Sequence, residues 1–281
     1  MDLQDRVAIV TGSTRGIGKA LALSLAEQGC NVTVTGKTDE PDPDLPGTIY
    51  QSAEEVEELG AEALPRKMDV RHDEEVESVV EDTVDEWGRL DILINNAGAI
   101  QMTPVEETPP KRFDLLMDVN ARGAYVSSYY ALPHMKETGG GHILMASPPV
   151  ASDQSPGKTA YGLSKIGMTY VAKSLAAEVE DHDIGVNAFW PLTALDTRAT
   201  RYFGLGSEEM WRTPEILCDT VMEIVDKDPA EFSGNAVLDE PFLREHGVED
   251  FEKYNVVEGT DPPPLSAQLF GVDDPNDLPF D

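Results

Sequence analysis

Cysteine is scarce in this chain: 281 residues contain two, Cys30 and Cys218. Neither a disulfide framework nor a cysteine-based zinc cluster can be built from them. The five histidines (His72, His134, His142, His182 and His246) are scattered, with no pair at ligand spacing, so no metal site is expected. Basic residues are also few. Against 21 Lys and Arg stand 53 Asp and Glu, a net charge of −32, which argues against nucleic acid and anionic membranes as partners. No apolar run approaches the ~20 residues of a membrane span. The charged start, Met1-Asp2-Leu3-Gln4-Asp5-Arg6, lacks the apolar region of a signal peptide. A soluble cytoplasmic protein is the expectation. The acids are dispersed (Glu54, Glu55, Glu57 and Glu58, then Asp73, Glu74, Glu75 and Glu77), as on a solvated surface. Such a composition suits molar intracellular salt, where screening removes self-repulsion, so a halophilic protein is expected.

What the chain does have begins near its start. Arg6-Val7-Ala8-Ile9-Val10-Thr11 reads as a buried strand. Gly12-Ser13-Thr14-Arg15-Gly16-Ile17-Gly18 follows, then a helical stretch from Lys19 that stops at Gly29. Strand, glycine turn and helix form the context of a phosphate-binding loop, because glycines let the backbone approach a pyrophosphate and the helix N-terminus offers free N–H groups. The spacing is G-x-x-x-G-x-G rather than the commoner G-x-G-x-x-G. The second strand, Asn31-Val32-Thr33-Val34-Thr35, ends at Gly36-Lys37-Thr38. An NAD site usually has an acid near this point. Here Lys37, together with Arg15, could neutralise a 2′-phosphate, which points to NADP(H).

Further strands are expected at 63–68, Leu90-Asp91-Ile92-Leu93-Ile94, His142-Ile143-Leu144-Met145-Ala146, Ile184–Trp190 and about 235–238. Helices are expected at 51–59, Asp73–Trp87 (with Val76, Val79, Val80 and Val84 on one side), about 111–137, from the Tyr161 region to Glu180, and near 207–226. This β-α alternation predicts an α/β fold: a single-domain, Rossmann-type, doubly wound parallel sheet with helices on both faces. The Pro- and Asp-rich end, from about Thr260, reads as an extended tail.

Tyr161-Gly162-Leu163-Ser164-Lys165 is the stretch that carries chemistry. Residues four apart share a helix face, so the Lys165 ammonium can sit near the Tyr161 phenol. A nearby positive charge lowers a tyrosine pKa from its ordinary value of about 10. Such a phenol can exchange a proton with an alcohol or carbonyl oxygen near neutral pH.

Together these residues resemble the short-chain dehydrogenases/reductases. The signature is Thr11-Gly12 through Gly18, Asp69-Val70, Asn95-Asn96-Ala97-Gly98, Asn120, and Tyr161 with Lys165, in that order and spacing across roughly residues 1–245. Residues 246–281 then form an acidic, Pro-rich extension. Segments such as Gly36-Lys37-Thr38, Asp69-Val70-Arg71 and Val186-Asn187-Ala188-Phe189-Trp190-Pro191 are similar to the hydroxysteroid dehydrogenase-like type 2 group. Animal members of that group often add a sterol-carrier domain, for which this chain is too short.

The resemblance implies that Gly12, Ser13, Thr14, Arg15, Gly16, Ile17 and Gly18 wrap the pyrophosphate, with Lys37 at the 2′-phosphate. It implies that Asp69 and Val70 hold the adenine, and that Asn96, Ala97 and Gly98 lie beneath the ribose. Lys165 would bind the nicotinamide ribose and depress the Tyr161 pKa. Asn120 would hold a water linking Lys165 to solvent. Where the family places a serine thirteen residues before the tyrosine, this chain has Pro148, with Ser147 as its neighbour. Strand alternation would turn Ser147 to the wrong face, and a bulge or the Pro148-Pro149 turn could bring it back. After Trp190-Pro191 the usual glycine is Leu192, and Thr193 or Thr197 could reach the nicotinamide carboxamide. A substrate lid is expected around Thr197–Trp211, with Tyr202, Phe203, Met210 and Trp211 as an apolar lining.

The function so implied is NADP(H)-dependent interconversion of an apolar carbonyl compound and its alcohol, by a homodimer or homotetramer paired through its long helices. A non-catalytic NADP(H)-binding sensor or assembly module is the alternative, with Pro148 marking lost chemistry. An enoyl reductase is disfavoured by the four-residue Tyr–Lys spacing.

Overall fold

The computed structural model describes residues 3–43, 46–149 and 156–270. Asp44 and Leu45 of the Pro-rich loop, and 271–281 of the C-terminal extension, lie outside it.

The apolar, largely β-branched runs become strands buried on both faces, except the edge strand over 63–67, where only Leu64 is buried. They are β1 (Val7–Val10), β2 (Asn31–Gly36), β3 (Ala63–Lys67), β4 (Ile92–Asn95), β5 (Gly141–Ala146) and β6 (Ile184–Trp190). Between them run α1 (Gly16–Glu27), α2 (Ile49–Glu58), α3 (Asp73–Trp87), α4 (Pro110–Met117), α5 (Gly123–Thr138) and α6 (Thr159–Glu178). A short parallel pair, β7 (Ala194–Leu195) with β8 (Trp211–Arg212), flanks α7 (Arg198–Phe203). Then come α8 (Glu215–Val225), β9 (Ala236–Leu238), α9 (Asp239–Glu245) and α10 (Leu265–Gln268).

The main sheet is seven-stranded and all parallel, in the order β3-β2-β1-β4-β5-β6-β9. The chain reverses its direction of travel between β1 and β4, so the loops after these two strands splay apart and leave a crevice at their carboxyl ends. One core lies between the sheet and α1 with α8, and includes Leu21, Leu25, Ile216 and Val221. The other lies beneath α5 and α6, and includes Ala131, Met135, Met168 and Ala172. The expected apolar stripe of α3 is seated as read, with Val76, Val79 and Val80 buried. Among the described residues, no helix is long and apolar enough to cross a membrane.

Three features depart from the sequence reading. The helix expected near 207–226 begins only at Glu215, after Pro214, because Glu208–Met210 is a 3-10 turn and Trp211–Arg212 is drawn into pairing with β7. The stretch expected as one helix over about 111–137 contains a π-helical turn at Asp118–Arg122, between α4 and α5. Its extra residue per turn re-aims Asn120 inward. The described part of the expected tail, from Thr260 to Phe270, also does not run free. Phe251 and Tyr254 are buried in the first core, and α10 docks with the Ala267 amide donating to the Leu192 carbonyl at 3.1 Å. Phe270 is buried against Tyr161. The low-hydropathy composition of this segment hides a short apolar cluster, Leu265, Ala267, Leu269 and Phe270, which finds an apolar hollow to fill.

Candidate active site

The glycine loop turns at the crevice. Gly12 and Gly16 take left-handed φ values of +70° and +55°, which side chains resist. Gly18 serves by closeness instead, because a methyl group there would overlap Asn96 Nδ2 and the Gly12 carbonyl oxygen. Asn96 in turn holds the loop, donating from Nδ2 to the carbonyls of Thr11 (3.0 Å) and Gly12 (3.2 Å). The amides of Asn96 and Ala97 both donate to Thr11 Oγ1. Ser13 is fully buried: its hydroxyl donates to the Val10 carbonyl and accepts from the Thr35 amide, so it ties β1 to β2. Thr14 packs against Gly36.

The first turn of α1 carries no acid and no side-chain cap, so in this very acidic chain its N–H dipoles are left for an outside anion. By contrast, α3 opens on Asp73, Glu74 and Glu75.

At the end of β2 the two predicted cations flank the same corner. Arg15 donates to neutral oxygens: Thr38 Oγ1 at 2.8 Å, the Pro46 carbonyl at 3.1 Å and the Gly47 carbonyl at 3.2 Å. Lys37 is exposed, with Nζ 3.9 Å from Asp69 Oδ2. Asp69 is gripped by Arg71, whose Nη2 lies 2.5 Å from Oδ2, and that guanidinium holds its carboxyl down to about 2. Val70 is buried against Gly123. Thr38 and Arg71 escape sequence reasoning, although both directly follow residues it singles out.

Tyr161 and Lys165 are buried one turn apart on α6. Lys165 Nζ donates to the Ala146 carbonyl at 2.7 Å, at the end of β5, and lies 5.3 Å from the Trp190 ring centroid. Burial pulls its ammonium down to about 7. Burial also pushes the Tyr161 phenol above its ordinary value, opposite to the expected depression. The reason is that both charged forms are desolvated together, with Phe270 packed 5.8 Å from the Tyr161 ring. Asn120 Oδ1 accepts from the Ala99 amide (2.7 Å), while its Nδ2 donates to the Ala99 carbonyl (3.0 Å) and Ser164 Oγ (2.8 Å). Its side chain therefore clamps the loop after β4 onto α6. A methyl group on Gly98 would stand 3.6 Å from both Asn120 Oδ1 and Lys165 Nζ, so these three residues are neighbours.

Ser147 is fully buried, and its hydroxyl accepts from Thr169 Oγ1 at 2.9 Å. Thr169 also contacts the Pro148 carbonyl at 2.6 Å. Ser147 is not among the residues lining the cavity beside Tyr161. That cavity, about 130 Å³, reaches from Ile17 of the glycine loop to Tyr161. Its walls are almost wholly apolar and include Ile100, Met102, Ala146, Trp190, Pro191 and Leu195.

Of the four residues expected to line the lid, only Phe203 faces the cavity. Tyr202 is exposed, and Trp211 is buried with its indole donating to the Leu205 carbonyl. Thr197 also lines the cavity, but its hydroxyl caps α7 by accepting from the Thr200 amide. Thr193 is buried with an Oγ1 that has no hydrogen-bond partner among the described residues. A buried hydroxyl left unpaired is costly, although Thr193, like Ser147, is not among the residues lining the cavity. The neighbouring Leu192 amide donates to Asp239 Oδ1 at 2.8 Å, and burial raises that carboxyl to about 7. Asp239 thus fixes the turn that carries Thr193, a role no local pattern announces. The anion-ready helix end and the close-approach glycine together fit a dinucleotide at the crevice.

Comparison with known proteins agrees with this geometry. The family model for short chain dehydrogenase matches residues 6–204. Hydroxysteroid dehydrogenase-like protein 2 of Xenopus tropicalis is 42% identical over 272 residues, 96% of this chain and 64% of its own length. The chain therefore spans just under two thirds of that relative. A short chain dehydrogenase of Mycobacterium thermoresistibile has a similar structure, with a TM-score of 0.88 at 38% identity, covering 93% of this chain and 94% of that one. A short chain dehydrogenase of Mycobacterium paratuberculosis bound to NAD follows the fold with a TM-score of 0.73 at 25% identity, covering 87% of this chain and all of its own. This chain belongs to the short-chain dehydrogenase family of oxidoreductases.

Proposed function

We propose that this protein is an NADP(H)-dependent oxidoreductase that interconverts an apolar carbonyl compound and its alcohol in the cytoplasm. The observation that carries the reading is the apolar cavity joining the glycine loop at Ile17 to the Tyr161 phenol. A nicotinamide held there supplies or accepts a hydride. Gly12 to Gly18 hold the pyrophosphate against the end of α1, Asn96 to Gly98 support the ribose, and Pro191 and Thr193 meet the carboxamide. Asp69 and Val70 border the adenine. Tyr161 gives its proton to the carbonyl oxygen in reduction and takes it back in oxidation. Lys165, whose ammonium is pulled down to about 7 by burial, serves the nicotinamide ribose.

The preference for NADP(H) rests on Lys37 and Arg15, since the Mycobacterium paratuberculosis relative is bound to NAD. At the lowest KCl concentration at which the parent stays folded, Lys37→Glu should weaken NADPH binding about tenfold or more, the size expected when one charge pair is replaced by repulsion. NADH binding should stay within a factor of two or three. Fluorescence titration with both nucleotides reads this, and equal losses for the two would place Lys37 away from the 2′-phosphate.

One observation favours the alternative of an NADP(H)-binding sensor or assembly module: Ser147 does not line the cavity beside Tyr161, and Pro148 has no hydroxyl to offer. Nucleotide binding without turnover on any carbonyl supports that alternative.

A homodimer or homotetramer is supported by exposed apolar side chains on the long helices, Tyr125 and Tyr129 on α5 with Leu163 and Tyr170 on α6. The dispersed charge of −32 supports a salt requirement. A KCl series from dilute buffer to molar salt, read by thermal melting and light scattering, should show both stability and the mass of a multimer rising with salt. A stability maximum in dilute buffer contradicts the salt requirement, and a monomer at every concentration contradicts the pairing.

A further inference from the structure

Phe270 packs against Tyr161 beside the apolar cavity that Tyr161 lines, although it is not itself among the lining residues. It is buried, with its ring 5.8 Å from the Tyr161 ring at a 47° tilt and 5.3 Å from the Trp190 ring, edge to face. Leu265, Ser266 and Leu269 of the same segment line the cavity wall. Tyr161 is buried in a cluster with Leu116, Ala160 and Phe270. The indole N–H of Trp190, whose ring meets Phe270, is buried with no hydrogen-bond partner among the described residues.

We propose that Phe270 is a specificity-determining residue whose ring holds the place of the substrate's own hydrocarbon group. The substrate is then a carbonyl compound bearing a ring-sized aromatic or alicyclic group, and it binds by displacing Phe270 from between Tyr161 and Trp190. This rests on the carbonyl-reductase reading and names its substrate class. Edge-to-face and tilted aromatic contacts are specific in geometry, so the space between the two rings prefers a flat or cyclic group over a straight chain. A site occupied by the protein's own side chain binds ligand more weakly by the fraction of time it is open.

The test is steady-state kinetics with NADPH on benzaldehyde, cyclohexanecarboxaldehyde and hexanal, for the parent, Phe270→Ala and Phe270→Leu. Binding of the neutral fluorophore N-phenyl-1-naphthylamine is measured beside it, with thermal melting as the check on folding. If the plug is shut about nine-tenths of the time, Phe270→Ala should lower KM for the ring aldehydes about tenfold with kcat little changed. Phe270→Leu should fall between, and Phe270→Ala should bind the dye correspondingly tighter. The parent should prefer both ring aldehydes to hexanal. A KM that rises in Phe270→Ala would make Phe270 a fixed wall, and an unchanged KM would put it off the substrate path; either overturns the proposal. A uniform loss of kcat/KM across all three aldehydes in both variants would mean a structural role only. If neither parent nor variants turn over any carbonyl but the dye gain is present, the displaceable plug stands and the reductase reading fails.

Discussion

Tyr161→Phe should lower carbonyl reduction by about 10²–10⁴-fold and leave NADPH affinity within a factor of two or three, the loss expected when a general acid is removed. The ring sits in an apolar cluster with Leu116, Ala160 and Phe270, so phenylalanine keeps the packing and removes only the proton carrier. Stability should therefore hold, which a melting curve checks. The pH dependence follows from the direction of the shift. Burial raises the Tyr161 pKa, so the phenol stays protonated through neutral pH and its acid role in reduction is not lost there. Alcohol oxidation needs the phenolate, and its rate should climb with pH. A variant that retains the parent's rate and pH profile would remove Tyr161 from the chemistry.

The second large effect belongs to Gly18→Ala. The added methyl has no room, since it meets the Asn96 amide and the Gly12 carbonyl, and neither is the free end of a flexible side chain. The Asn96 amide is held by Thr11 and Gly12. Relief requires α1 to move away from the loop, at a cost of about 1–3 kcal/mol for overpacking. That movement withdraws the helix N-terminus from the pyrophosphate. Nucleotide affinity should fall more than tenfold, well beyond what the lost stability explains, because the folded fraction remains near unity. Titration with NADPH and urea unfolding measure the two quantities separately. Unchanged affinity with lowered stability would mean that α1 takes no part in holding nucleotide.

The parallel sheet was readable because its strands are buried on both faces and appear as continuous apolar runs between amphipathic helices. The glycine loop was readable for a related reason: three glycines at fixed spacing between a strand and a helix satisfy a backbone requirement that sequence records directly. Tyr161 and Lys165 share a helix face by simple periodicity. Contacts made across the fold were not readable. The direction of Ser147 depends on how the chain leaves β5 at Pro148-Pro149, and the Thr169 hydroxyl that takes it up lies on another element. The grip of Arg71 on Asp69 and of Asp239 on the Leu192 amide are likewise side-chain choices with no period. Phe270 was hidden most deeply. A segment rich in Pro and Asp reads as tail, and its short apolar cluster gains meaning only from the hollow over Tyr161. The sign of the Tyr161 shift was missed for the same reason, since the neighbour that desolvates the phenol is more than a hundred residues away.

The most direct test of the account follows the hydride itself. Protein in molar KCl is given NADPH deuterated at C4 of the nicotinamide ring, together with a panel of apolar aldehydes and ketones, and the alcohols formed are analysed by mass spectrometry. The account predicts deuterium on the carbinol carbon of at least one ring-bearing product, formed at least about 10²-fold more slowly when Tyr161→Phe replaces the parent. Saturable NADPH binding with no labelled alcohol from any carbonyl would contradict it and leave a nucleotide-binding module in its place.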